Sequence, residues 1–159
     1  MWWSDRRIAL LGLLALAGCG FTPVYGPGSA AGILLGHVQI TAPETVEGYR
    51  LLQALRDRLG DSIGTAYDLS VTLEISEVAA ATTAEGSTTR YTLPGKANYV
   101  LRNLAGFTLA EGTVSSFTSY SATGTTVATT AAETDARARL AAILADQIVT
   151  LLAIADLSP

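Results

Sequence analysis

An α+β fold is predicted for this chain: a two-layer sandwich, with two helices on one face of a four-stranded mixed sheet. Three observations lead there. "YDLSVTLEISEV" alternates Tyr67, Leu69, Val71, Leu73 and Ile75 with Asp68, Ser70, Thr72, Glu74 and Ser76, the period of a half-buried strand. Two other segments carry apolar residues at steps of three and four, the period of an amphipathic helix. The order β-α-β-β-β-α supplies only two helices, too few to cover both faces of such a sheet.

The first strand is "HVQIT", His37 to Thr41, with Val38 and Ile40 inward. Pro43 stops it, and Thr45 is placed to cap the next helix. In "EGYRLLQALRDRLGDSIG" the stripe is Leu52, Leu55, Leu59 and Ile63, with Arg50, Arg56, Asp57 and Arg58 off it. Gly60 or Gly64 ends that helix. After the 67–76 strand, "AAATTAEGS" reads as a loop. "TTRYTLPGKANYVLRN" puts Tyr91, Leu93, Tyr99 and Leu101 on one parity and Arg90, Lys96, Asn98 and Arg102 on the other. Pro94 and Gly95 predict a bend or bulge there, in a strand whose N–H groups are not all needed.

"NLAG" predicts a hairpin turn. "FTLAEGTVSSFTSY" starts as a strand with Phe107 and Leu109 inward, and its parity switches near Gly112. The last element is a long helix. Thr130 and Glu133 have capping-box spacing. Glu133–Arg137 and Asp135–Arg139 are i,i+4 pairs. Leu140, Ile143, Leu144, Ile148, Leu151 and Leu152 form its apolar stripe.

The N-terminus carries a different kind of signal. "MWWSDRR" is followed by an apolar run, Ile8 to Gly18. That run falls well short of the about 20 residues that span a bilayer, and its basic and apolar regions are those of an export signal. It ends in "LAGC", which resembles the bacterial lipobox. There the peptidase cuts before the Cys, the thiol takes a diacylglycerol and the amine a third acyl chain. Residues 1–18 are therefore read as a lipoprotein signal peptide, and Cys19 as the lipidation site. Several acyl chains make such an anchor effectively permanent. Gly20 lacks the Asp that favours inner-membrane retention, so the expected location is the outer membrane, on its periplasmic side. "GFTPVYGPGSAAG", rich in Gly and Pro, reads as an extended tether. The expected organisation is a lipidated tether over 19–36 and a single domain over 37–157.

Composition excludes several functions. The net charge is −4, and loss of Asp5, Arg6 and Arg7 with the signal makes it −5. Such a chain has no basic surface for nucleic acid. His37 and Cys19 are the only residues of their kinds, too few for a His-based triad or a multi-His metal site. Glu74 and Glu77 are three apart on a strand and point to opposite faces, so they form no acid pair. "PGKA" around Lys96 lacks the glycine and the Ser/Thr of a phosphate loop. Ser and Thr make up about a fifth of the mature chain, and none has a partner that would activate it. The chain is read as a non-enzyme without cofactor or metal. Arg90, Lys96 and Arg102 share one strand face, where they either meet phosphates or keep the sheet soluble.

The chain resembles the lipopolysaccharide-assembly lipoprotein family, and its alphaproteobacterial members in particular. "GCGFTPVYG", "RYTLPGKANYVL", "GTVSSFTSYSATGTTVAT" and "AAETDARARLAAILADQIVTLL" carry the resemblance. It implies a lipoprotein that plugs the lumen of the outer-membrane LPS-translocating β-barrel, helps the barrel assemble and binds LPS. The candidate LPS contacts are Arg90, Lys96, Arg102 and Arg137. The alternative is a periplasmic auxiliary lipoprotein of a phospholipid or solute transporter, with an apolar cavity between helices and sheet.

Overall fold

The structure is a computed structural model and describes residues 29–157. Cys19, the signal segment 1–18 and the tether residues up to 28 lie outside the described residues. The elements are α1 (Ala30–Leu34), β1 (Val38–Thr41), α2 (Val46–Leu59), β2 (Tyr67–Ile75), β3 (Val78–Thr82), β4 (Thr88–Asn103), β5 (Thr108–Ser121) and α3 (Thr126–Ala153).

The sheet is mixed. β1 pairs β2 in parallel, while β2, β3 and β5 all pair β4 antiparallel. β2 and β3 follow one another along the same edge of β4, and β5 takes its other edge. The mixed sheet of the expected α+β build thus has five strands, one more than read from the sequence, in four strand positions. β3 falls in the segment read as a loop. Its five residues are all exposed, so no apolar alternation marks it, and pairing with the N-terminal part of β4 makes it a strand.

No register shift marks Pro94 or Gly95, so β4 passes through them unbroken. The interruption lies in the neighbouring edge instead, at Ser76–Glu77 between β2 and β3. Ser76 N–H donates to the Pro94 carbonyl at 3.1 Å. In antiparallel pairing a residue's N–H and C=O point to the same side. Pro94 has no N–H to return that bond to Ser76, and the missing rung coincides with the break between β2 and β3.

The core lies between the sheet and the helices. Leu69, Leu93, Leu101, Leu140, Leu144 and Ile148 are fully buried. α2 packs on β1, β2 and α3, while α3 packs on β4 and β5. Thr45 caps α2, its Oγ1 accepting from Gly48 N–H at 3.0 Å. The helix ends at Leu59, with Gly60 at φ 77°. Ile63 therefore lies beyond it and is 94% exposed, and the buried stripe is Leu51, Ala54, Leu55 and Leu59. The segment read as extended is helical at its C-terminal end, where α1 delivers Ala31 and Leu34 to the interior.

α3 begins a turn earlier than the Thr130 capping box implies. Thr125 is the N-cap, its side chain accepting from Ala128 N–H. Both i,i+4 pairs form, Glu133–Arg137 at 2.8 Å and Asp135–Arg139 at 3.1 Å. Ile143 and Leu151 stay partly exposed on the helix flank, and Ala136, Ala141, Ala145 and Val149 take buried places instead. Small residues there let the helix approach its neighbours closely.

The hairpin at "NLAG" is present. Gly106 at φ 86° donates to the Asn103 carbonyl, and the Asn103 side chain accepts from Phe107 N–H. Phe107 itself is 67% exposed rather than inward. The parity switch falls at Leu109, where Leu101 pairs Ala110 but Arg102 pairs Thr108, so the bulge precedes Gly112.

Candidate binding face

With both long helices on one side, no described element covers the other side of the sheet. β4 sends Arg90, Thr92, Pro94, Lys96, Asn98, Val100 and Arg102 to it, and Leu93, Ala97, Tyr99 and Leu101 to the core, as the sequence parity predicts. Cross-strand register adds Asp68, Ser70, Thr72 and Glu74 from β2, and Glu111, Thr113, Ser115, Phe117 and Ser119 from β5. Three acidic residues, Asp68, Glu74 and Glu111, thus balance Arg90, Lys96 and Arg102.

Side-chain hydrogen bonds knit the face across three strands. Thr113 Oγ1 donates to Asn98 Oδ1 at 2.8 Å, and Asn98 Nδ2 donates to Thr72 Oγ1 at 3.1 Å. Thr92 and Ser119 hydroxyls share a further bond at 3.1 Å. These rungs hold donors and acceptors in fixed positions over a strongly polar surface.

The three sheet cations share the face but do not converge. Each is six residues from the next, about 20 Å along an extended strand. Their surroundings differ. Arg102 stands across from Asp68, and Lys96 across from Glu74 with Ser115 on its other side. Arg90 is flanked by Ala81 and Ser121, with no acidic residue directly opposite. All three are exposed, and among the described residues none is in an ion pair. A groove of about 490 Å³ lies on this face at the β2–β3 break, lined by Glu74, Pro94, Lys96, Ser115 and Phe117 among others. Phe117, 68% exposed, gives it an apolar wall.

Arg137 belongs to a different place. Its guanidinium meets Glu133 at 2.8 Å, Glu47 of α2 at 3.4 Å and Glu77 of the β2–β3 break at 3.4 Å. Glu77 also accepts from the Tyr120 hydroxyl at 3.1 Å. Tyr120 is buried and stacks on Tyr91, with centroids 5.3 Å apart. Burial first, and then the Glu77 contact, push its hydroxyl up to about 12. Arg137 thus clasps two helices to the sheet, with its charge already met by three carboxylates. Sequence spacing shows only the Glu133 partner; Glu47 and Glu77 are brought in by tertiary packing.

The comparisons with known proteins fit this arrangement. The lipopolysaccharide-assembly family LptE matches over residues 35–152, most of the chain. The chain belongs to the LptE family. Among curated proteins no relative matches. Among solved structures, a lipoprotein from Caulobacter crescentus is similar at 24% identity and TM-score 0.64, over 78% of this chain and 92% of that one. A minor lipoprotein from Acinetobacter baumannii is similar at 18% and 0.55, over 74% and 90%. The rare lipoprotein B from Shewanella oneidensis is similar at 11% and 0.54, over 72% and 89%. At such identities these likenesses establish the shared fold. This LptE-family chain therefore has the α+β build expected from its sequence, and LPS assembly is the process its family serves.

Proposed function

We propose that this chain is a lipoprotein held at the outer membrane through Cys19, where it plugs the lumen of the LPS-translocating β-barrel and assists LPS delivery. It acts without catalysis. The observation that carries this reading is the open sheet face: polar, hydroxyl-rich, charge-balanced and cross-linked by hydrogen bonds. Barrel interiors are polar, and a face whose three cations are offset by three carboxylates, with hydroxyls between them, can exchange water for polar and charged groups of a barrel wall.

LPS contact is assigned to the same face. Arg90 leads, because no acidic residue stands across from it, and Lys96 follows because it lines the groove. Arg102 is tempered by Asp68, and Arg137 contributes mainly through its clasp. The transporter-accessory alternative expects a cavity between the layers. That space is filled by Leu93, Leu101, Leu140, Leu144 and Ile148, all fully buried, so a lipid there would have to force the layers apart.

The test is binding of purified, delipidated domain to LPS. Arg90→Glu with Lys96→Glu is expected to weaken affinity about tenfold or more with the fold intact. Unchanged affinity would return both residues to a solubility role.

A further inference from the structure

We propose that the outer edge of β5, from Ala110 to Thr118, is a docking site for an extended polypeptide strand of a partner protein, one with apolar side chains at every second position. β5 pairs only β4. Ala122 N–H bonds inward to the Thr89 carbonyl, whereas the Ser119 carbonyl accepts outward from Arg139. The two strand sides alternate, so Glu111, Thr113, Ser115 and Phe117 present their N–H and C=O groups to the free edge. Among the described residues none of these groups is bonded.

An open edge of this length invites strand pairing, and proteins commonly guard it with Lys, Pro, bulges or a covering element. Here the guards stand only at the ends. The Leu109 bulge closes one end. Arg139, held by Asp135, closes the other at Ser119. Between them the edge carries no Lys and no Pro, and Glu111 is its single charge.

A second observation defines the occupant. α2 lies over β1 and β2, and α3 over β4 and β5. One flank of α3, at Ala142 and Asp146, is engaged by Arg58 of α2. The opposite flank therefore overhangs the outer side of β5. It carries Ile143 and Leu151, 36% and 38% exposed, and between them Gln147, whose Oε1 is buried without a hydrogen bond. An added strand would satisfy the β5 edge and place alternate side chains under this overhang, with Gln147 Oε1 within reach of its donors. A second copy of β5 suits the site poorly: of its same-face residues Ala110, Gly112, Val114, Ser116 and Thr118, only Val114 is a sizeable apolar group, too little to cover both Ile143 and Leu151. This mode of docking is β-augmentation, in which main-chain bonds give affinity and side-chain pockets give register.

This inference goes beyond the proposed plug role and rests on it for the presence of a protein partner. The experiment compares hydrogen exchange in the isolated domain with exchange in the complex recovered from outer membrane by this chain. The amides of Glu111, Thr113, Ser115 and Phe117 are expected to slow at least about tenfold in the complex. Ser115→Pro removes an outward N–H together with a hydroxyl on the open face, so Ser115→Ala, which removes the hydroxyl alone and should keep full recovery, is its control; Ile143→Asp alters only the overhang. Ser115→Pro and Ile143→Asp are each expected to cut partner recovery about tenfold with an unchanged melting midpoint. A photo-crosslinker at Ser115 should join an extended segment of the partner. Equal exchange in both states, full recovery with both variants, or crosslinks only to lipid or to a second copy overturns the proposal. Barrel recovery that survives both variants sinks the edge alone; no barrel with the wild-type chain sinks the plug reading as well.

Discussion

Leu140 of α3 fills the space that a side chain at Gly95 of β4 would need. A β-carbon at residue 95 would stand 2.9 Å from Leu140 Cδ2. Leu140 is fully buried and has little room to yield. Gly95→Ala is therefore expected to destabilise by about 1–3 kcal/mol through overpacking. Denaturant unfolding should show a lower midpoint at unchanged slope. The double variant with Leu140→Ala should cost less than the sum of the single changes.

Gly48 tests which of two opposed effects wins. In an ordinary helix Gly→Ala stabilises by about 1 kcal/mol. Here the added β-carbon would lie 2.1 Å from the Pro43 carbonyl oxygen, a backbone atom just before the Thr45 cap. Gly48→Ala is expected to destabilise by roughly 2 kcal/mol or more as that turn is displaced. A melting midpoint at or above wild type would contradict the close approach.

Tyr120 makes stability depend on alkaline pH. Its folded value of about 12 lies above the ordinary value of 10, so the folded state holds the proton more tightly. The resulting stabilisation, roughly 2–3 kcal/mol, is fully present below pH 10 and is lost as pH rises toward 12. Tyr120→Phe keeps the ring on Tyr91 and should flatten this part of the stability profile. An unchanged alkaline slope in the variant would assign the effect to another group.

The Arg137 clasp should outweigh its neighbour. Arg137→Ala leaves Glu47, Glu77 and Glu133 crowded without their cation and is expected to cost about 1–2 kcal/mol. Arg139→Ala removes a more exposed pair and should cost about 0.5 kcal/mol or less. Equal effects in thermal unfolding would contradict the three-way arrangement.

Much of this fold was legible in the sequence because one-sided burial writes itself as alternation. Tyr67–Ile75 and the parity of Leu93, Tyr99 and Leu101 against Arg90, Lys96 and Arg102 both follow from it. β3 was illegible because all five of its residues are exposed; only pairing with β4 defines it. Ile63 continued the helical period but stood past Gly60, whose positive φ ends α2. Thr130 had a capping partner, yet Thr125 one turn earlier takes the role. The common face of Arg90, Lys96 and Arg102 was readable from parity, whereas Asp68 and Glu74 across from two of them required register. Arg137's three carboxylates come from distant segments, and local spacing could reveal only one.

Lipidation is tested at its nucleophile. Cys19→Ser should leave an unprocessed precursor without acyl chains, read by intact-mass spectrometry. A mature, lipid-modified product would refute the lipobox reading.

The most direct test of the central claim is purification of the chain from outer membrane in mild detergent, with stoichiometry read from the intact complex. The account predicts one large β-barrel protein per copy of this chain, with its lumen-facing residues crosslinking to Thr72, Asn98 and Thr113 on the open sheet face. Recovery of the lipoprotein alone, or of a barrel that crosslinks only to the helices, would contradict it.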